Sequence, residues 1–371
     1  MRDRTERADL ARAWDLVAFL LGERRTSPGP VRPAVLRELA RLHRLDTMLA
    51  QPRLTAVSPA EHVDEETWRG WQAARKAALA QVIARGPASR RALDRLFPLP
   101  VIVIKGCAAA ELLYPSPADR STGDLDVLVR MQDLAEALER LTDAGFSRHN
   151  AGDPSFDSPT SPERQLGSPE LDLDLHQAFT HQARLPIDYD AVFARSLPWP
   201  AFAPNARLLA PEDAVVYQTV HAGCGELSVA TAPALGLFDL RLMLARKGPF
   251  WGAAGGPALD LDAAVRRAAE WGAERMFYAV LSAASRIFPS LSPAASDAAE
   301  AVPMLIRTLL DRVIVDQASP PRLRAPPRAA VLVRKALLIR PAARLRLLRY
   351  RLPQVAAARR RRPAKARPMV V

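Results

Sequence analysis

Hydrophobic positions along this chain follow two different periods. The first stretch is helical. Leu10, Trp14, Val17, Ala18 and Leu21 recur at helical spacing over residues 10–21. Leu36, Leu39, Leu42, Leu45 and Leu49 mark one side of a helix from Ala34 to Leu49, and Trp68, Trp71, Ala74, Leu79 and Val82 mark a longer one from Glu61 to Arg85. Gly86-Pro87 predicts an interruption there, followed by a short helix from Ser89 to Phe97. The period then changes. Val101 to Ile104 is an apolar β-branched run closed by Lys105-Gly106, which predicts a buried strand ending in a tight turn. Ala108 to Leu113 favours helix, and Pro115 to Arg120 favours a turn. Leu125, Val127 and Val129 point one way along a second strand, and Asp124 and Asp126 point the other.

Met131 to Ala144 predicts a helix with Gly145 as its C-cap, and Phe146 to Asn150 starts another strand. Residues 151–170 are rich in Pro, Ser, Gly and Asp without periodicity, so they read as a loop. Leu171-Asp-Leu-Asp-Leu-His176 alternates strictly, placing Asp172, Asp174 and His176 on one face. Leu185 to Pro204 reads as irregular. Pro211-Glu-Asp213 opens a helix through His221, with proline and acids in its first turn. Ala234 to Ala245 predicts a further helix, and Leu261 to Phe288 with Ala294 to Val315 predict two or three more. The glycine-rich 248–257 stretch lacks the spacing and strand context of a phosphate loop. The expected organisation is a helical region 1–97, a core 98–205, a helical region 206–318 and a basic, partly disordered tail 319–371.

Charge changes this picture at one end only. The 371 residues carry 52 Lys and Arg against 40 Asp and Glu, a net +12. Sixteen of the basic residues lie in 322–367, and no acid follows Asp316; the remainder has 36 basic residues against 40 acids. The body is therefore slightly acidic. The tail alternates Arg and Leu, a pattern suited to an acidic membrane surface, to RNA, or to docking back on the body. No apolar run approaches the roughly 18 residues of a membrane span, and the charged N-terminus has no signal-peptide core, so the expected location is cytoplasmic. Cys107 and Cys224 are too few for a disulfide framework or a zinc site and read as small buried residues.

Three acids on two candidate strands carry the chemistry: Asp124, Asp126 and Asp174. Paired carboxylates on one strand face repel unless they share a cation or a proton. Phosphoryl and nucleotidyl transfer ask a protein to hold Mg²⁺ on carboxylates and to position the phosphates. Lys105 and the Gly106 backbone stand at a strand end and helix start, where phosphate oxygens can be held, and Arg120 is a second candidate. Each feature alone has an ordinary explanation: a solvated strand face, a plain turn, or a histidine bonded to its neighbour. The order and spacing together favour the chemistry.

The same residues resemble a family. Val103-Ile-Lys-Gly106, Tyr114-Pro115, Arg120 and Gly123-Asp-Leu-Asp-Val-Leu-Val129 look like the uncharacterised bacterial nucleotidyltransferases of the DNA polymerase beta-type superfamily. Asp174-Leu-His176, Leu209-Ala-Pro-Glu-Asp213, His221 and Leu237-Phe-Asp239-Leu fit the family's later motifs. The resemblance covers roughly residues 35–290. It implies an α+β fold, a small mixed sheet of the nucleotidyltransferase type within mostly helical N- and C-terminal regions. It also implies Mg²⁺-dependent use of an NTP, ATP first, on an acceptor it does not name. Asp124 and Asp126 would be metal ligands, with Asp174 the third carboxylate. Lys105-Gly106-Cys107 stands where the superfamily usually has Gly-Gly or Gly-Ser, and Gln177 where the family often has Trp. A non-catalytic nucleotide- or partner-binding module of the same fold is the alternative. His221 and Asp239 are expected to make polar contacts between helices.

Overall fold

The computed structural model describes residues 2–149, 161–180, 185–223 and 234–310, with side chains from residue 8 onward. The basic tail, Cys224 and the 151–160 part of the expected loop lie outside these residues.

The fold grows from β1 (Val101–Ile104), whose four residues are all buried. Covering both faces suits a continuous aliphatic run, since no position has to meet water. Six further strands complete the sheet: β2 (Leu125–Leu128), β3 (Ser147–Arg148), β4 (Glu163–Gly167), β5 (Asp172–His176), β6 (Leu197–Pro198) and β7 (Ala206–Leu208). Their order is β3-β4-β5-β2-β1-β7-β6. β2 is antiparallel to β1 and parallel to β5, and β7 is parallel to β1, so the sheet is mixed. Asn205 fixes the β7 edge, because its Nδ2 donates to the carbonyls of Leu93 at 3.1 Å and Leu99 at 2.9 Å.

Helices enclose this sheet on both sides in the chain. Before it come α1 (Arg2–Leu20), α2 (Pro33–Leu42), α3 (Asp46–Leu49) and α4 (Glu65–Leu96). Within the sheet region lie α5 (Gly106–Leu113), α6 (Leu134–Asp143) and α7 (Tyr189–Arg195). After it come α8 (Pro211–His221), α9 (Ala234–Ala245), α10 (Leu261–Glu270), α11 (Glu274–Ile287), α12 (Ser292–Glu300) and α13 (Met304–Leu310). The fold is thus α+β with a mixed sheet set among helices, as the pattern and the resemblance predict. No helix among the described residues is long and apolar enough to cross a membrane.

Four local expectations are corrected. The single helix expected from Ala34 to Leu49 breaks at His43-Arg44, where Arg44 takes a left-handed φ of 54°. The interruption expected at Gly86-Pro87 does not occur, and α4 runs through Pro87. Pro87 and Ile83 both lie on the exposed side of α4, so the carbonyl that loses its partner faces water. The expected loop 151–170 contains β4. Its sequence Glu-Arg-Gln-Leu-Gly carries no strand signature, and pairing with β5 along five registered residues makes it one. The irregular stretch from Leu185 to Pro204 contains α7, started by the Asp188 carboxylate accepting from the Ala191 N–H at 3.0 Å.

Candidate active site

Strand register builds the site. Along the parallel pair, Asp126 lies beside Asp174, while Leu125 and Val127 lie beside Leu173 and Leu175. Neighbours in register share a face, so both aspartates project from one side and the aliphatic residues pack on the other. Ile104 pairs with Asp126 across β1. Lys105 follows immediately, in a left-handed φ of 53°, and its side chain turns back to the acids. Lys105 Nζ donates to Asp126 Oδ1 at 2.7 Å and lies 3.3 Å from His176 Nε2. His176 Nε2 is itself 3.0 Å from Asp126 Oδ1.

β4 adds a group that the sequence reading left in a loop. Glu163 registers with His176, and its Oε2 lies 3.5 Å from His176 Nδ1. The imidazole therefore sits between two carboxylates. A donor atom from each of Asp126, Asp174 and His176 falls within 4.8 Å of the others. Asp124 immediately precedes β2, and the loop leading to it is braced by Arg85, which donates to the Gly123 carbonyl at 2.7 Å. Asp124 faces a narrow cleft of about 50 Å³ between α4 and α5.

The electrostatics follow from this crowding. Burial raises the Asp126 carboxyl, but Lys105 and His176 outweigh it and hold the group well below the usual carboxylate range. Lys105 pulls on Asp174 as well, but more weakly than the groups that raise it. Burial, then the charges of Asp126, Glu163 and Asp124, push it up to about 7. Burial and Asp126 also raise Asp124, against which the leading cations are Lys105 and Arg44. One ammonium among four acids leaves the cluster short of positive charge. The donor set that converges is two carboxylates and an imidazole, Asp126, Asp174 and His176, which can take a divalent cation; Asp124 lies outside that group.

Gly106 begins α5 in tight quarters, since a Cβ there would come 2.9 Å from an Arg120 Nη and 3.2 Å from Thr122 Cγ2. Lys105 occupies the N-cap of α5 and no side chain caps the helix, which leaves its first N–H groups to other acceptors. Arg120, expected to hold phosphate, directs its guanidinium elsewhere. Its Nη2 donates to Asp239 Oδ2 at 2.6 Å and its Nε to Asp239 Oδ1 at 2.9 Å, with Tyr114 Oη donating to the same carboxylate at 2.7 Å. Asp239 is fully buried and links α9 to the segment between α5 and β2. His221 lies in the same helical cover, where burial and the nearby Lys105 push its imidazole down to about 3, so it is neutral at physiological pH. The Cys107 thiol is pushed up to about 12, first by burial and then by Glu111 and Asp126, and is no nucleophile.

Residues 30–289 match a family described as an uncharacterised nucleotidyltransferase. The chain belongs to that family. The matched span includes all seven strands and every side chain of the acid cluster in this nucleotidyltransferase fold. No curated protein and no solved structure matches the chain. Of the residues that the sequence singles out around β1, β2 and β5, the structure brings Lys105, Asp126 and Asp174 together, and Asp124 stands just before β2 outside the converging group. Glu163 escaped that reading, because it lies outside a motif and reaches His176 through strand pairing.

Proposed function

We propose that the protein transfers a nucleoside monophosphate from an NTP, ATP first, to a hydroxyl or phosphate acceptor, with Mg²⁺ held by Asp124, Asp126 and Asp174. The observation that carries this reading is the register of Asp126 beside Asp174 on the parallel pair, with Lys105 one residue beyond the Ile104 that pairs with Asp126. Bound Mg²⁺ would neutralise charge on the phosphate oxygens and favour the attacking oxygen. The chain's own residues do the rest. His176 holds Asp126 in place, and the Glu163 carboxylate lies 3.5 Å from the other ring nitrogen. The carboxylates take the metal because Mg²⁺ prefers oxygen ligands. Lys105 and the Gly106 backbone hold phosphate oxygens at the start of α5. Arg120 fixes the segment that leads to Asp124 through its bonds to Asp239.

One observation favours the alternative of a non-catalytic nucleotide-binding module. Lys105 Nζ already neutralises Asp126 at 2.7 Å, as a cation would. A single set of measurements separates the two. The protein is incubated with each labelled NTP, Mg²⁺ and a host cell extract, and pyrophosphate release and labelled acceptor are followed. Asp126→Asn and Asp174→Asn are each expected to reduce turnover by at least about a hundredfold, with an unchanged circular dichroism spectrum. Turnover equal to that of the wild type in both variants refutes the assignment. Nucleotide binding by the wild type without pyrophosphate release with any NTP supports the binding module.

A further inference from the structure

Tyr217 is buried in α8, and its hydroxyl has no hydrogen-bond partner among the described residues. The ring packs against that of Phe179, with centroids 4.4 Å apart. Burying a hydroxyl without a partner is costly, and phenylalanine would fill the same place without that cost. Packing alone therefore does not explain the phenol.

Tyr217 borders a small void beyond the end of β1, which Val103, Lys105, Gln218 and Trp251 also line. Its volume of about 10 Å³ is close to the least that admits one water. Gln218 Nε2 donates to the Gly236 carbonyl at 3.0 Å and Trp251 Nε1 to the Leu209 carbonyl at 2.7 Å, so both already have acceptors. Among the residues lining the void, Lys105 alone is charged. Its ammonium carries three donors, and the oxygen it meets is Asp126 Oδ1 at 2.7 Å, which also has His176 Nε2 at 3.0 Å. One side chain thus joins the acid cluster to the void that the unpaired phenol borders.

A divalent cation and an ammonium repel each other on one carboxylate oxygen, so Lys105 has to leave Asp126 for a metal to bind there. Its flexible four-carbon stem allows the move without a change of backbone. The void gives it room, and the phenol oxygen is an acceptor with nothing else bound to it. We propose that Tyr217 is a positioning residue of this site: its hydroxyl receives Lys105 Nζ when a divalent cation takes Asp126. Lys105 on Asp126 then marks the metal-free state, in which the ammonium keeps the buried carboxylate paired. Held by Tyr217 in the other state, the lysine stays beside the start of α5, where phosphate oxygens are to be met. This inference rests on the metal-binding part of the nucleotidyltransferase reading above.

The test reads binding of Mn²⁺, a paramagnetic stand-in for Mg²⁺, by electron paramagnetic resonance on the full chain without nucleotide. Wild type, Tyr217→Phe, Lys105→Met and the double variant are compared. Tyr217→Phe is expected to weaken Mn²⁺ binding by about tenfold, since the displaced ammonium loses its acceptor. Lys105→Met is expected to bind Mn²⁺ more tightly than the wild type, since no ammonium competes for Asp126. Adding Tyr217→Phe to Lys105→Met is expected to change nothing, a coupling that a purely structural phenol would not show. The melting temperature of Tyr217→Phe is expected to equal or exceed that of the wild type, because the variant removes an unpaired buried hydroxyl; weaker binding then cannot reflect a damaged fold. Wild-type Mn²⁺ affinity in Tyr217→Phe overturns the inference, as does an equal loss in both backgrounds or a Lys105→Met variant that binds no more tightly. Wild-type protein that binds no Mn²⁺ overturns the metal reading and this inference with it.

Discussion

Arg120 illustrates what a single residue's type conceals. An arginine between a lysine-glycine turn and two aspartates has the chemistry of a phosphate ligand. In the fold it is about nine-tenths buried and meets Asp239, 119 residues later in the chain. The pair is enclosed and hydrogen-bonded on both sides, so removing one partner strands the other's charge. Asp239→Ala is expected to lower the free energy of unfolding by about 3–5 kcal/mol, measured by urea denaturation. Arg120→Met combined with Asp239→Leu is expected to recover part of that loss, because no charge is then left unpaired. A negligible effect of Asp239→Ala would mean that solvent reaches the guanidinium. His43 shows the same limit at smaller scale. It is buried, and its Nδ1 accepts from the Ala234 N–H at the start of α9, 3.2 Å away. Nothing near residue 43 announces a partner in residue 234.

At the scale of elements, legibility depended on how much of each element's identity is local. β1, β5, α8 and α9 were readable, since an aliphatic run, a strict alternation or a proline-acid start states the element within its own residues. β4 and β7 were not. β4 has one aliphatic residue and becomes a strand by pairing, and with it Glu163 entered the site unannounced. The candidate site was therefore legible where strand and chemistry coincide, at Lys105, Asp126 and Asp174, and opaque where tertiary pairing imports the group. α4 makes the opposite point. Its proline is a strong local signal that the surrounding packing overrides, with Trp71 and Ala78 buried before it and Ala88, Ala92, Leu93 and Leu96 after it. The helix carries the proline at a cost. Pro87→Ala is expected to stabilise the protein by about 1–3 kcal/mol, read as a higher urea midpoint. A decrease would show that the proline fixes a bend on which α4 depends.

Across the whole molecule, the N-terminal helices and the later helical region are joined to each other as well as to the sheet. Glu23 follows α1. Its carboxylate accepts from Arg241 of α9 at 2.5 Å and from the Ser290 N–H at 3.0 Å. Burial pulls the Glu23 carboxyl upward, but the bonds from Ser290 and Arg241 outweigh it and hold the group below the ordinary glutamate range. A carboxyl held low in the folded state stabilises it above the unfolded value, near pH 4.3, and loses that effect as pH falls. Glu23→Gln is thus expected to be less stable than the wild type at pH 7, by about 1 kcal/mol after solvent screening. The difference should shrink as pH falls below the ordinary glutamate range and the carboxyl takes up its proton in the folded state. A gap that persists there would trace to packing and not to charge.

Asp119 sets a limit on how this chain can be divided. The residue is wholly buried, and its carboxylate holds Gln51 Nε2 at 2.7 Å and Arg75 Nε at 2.6 Å, while Thr47 holds its carbonyl. All three donors precede residue 97. A fragment trimmed to begin just before β1 would keep every acid of the cluster and discard the whole socket of Asp119. The bare carboxylate would then stand at the root of the segment that presents Asp124. Excision of the acidic centre as a portable module, whether by recombination over generations or by cloning at the bench, has to carry α3 and α4 along.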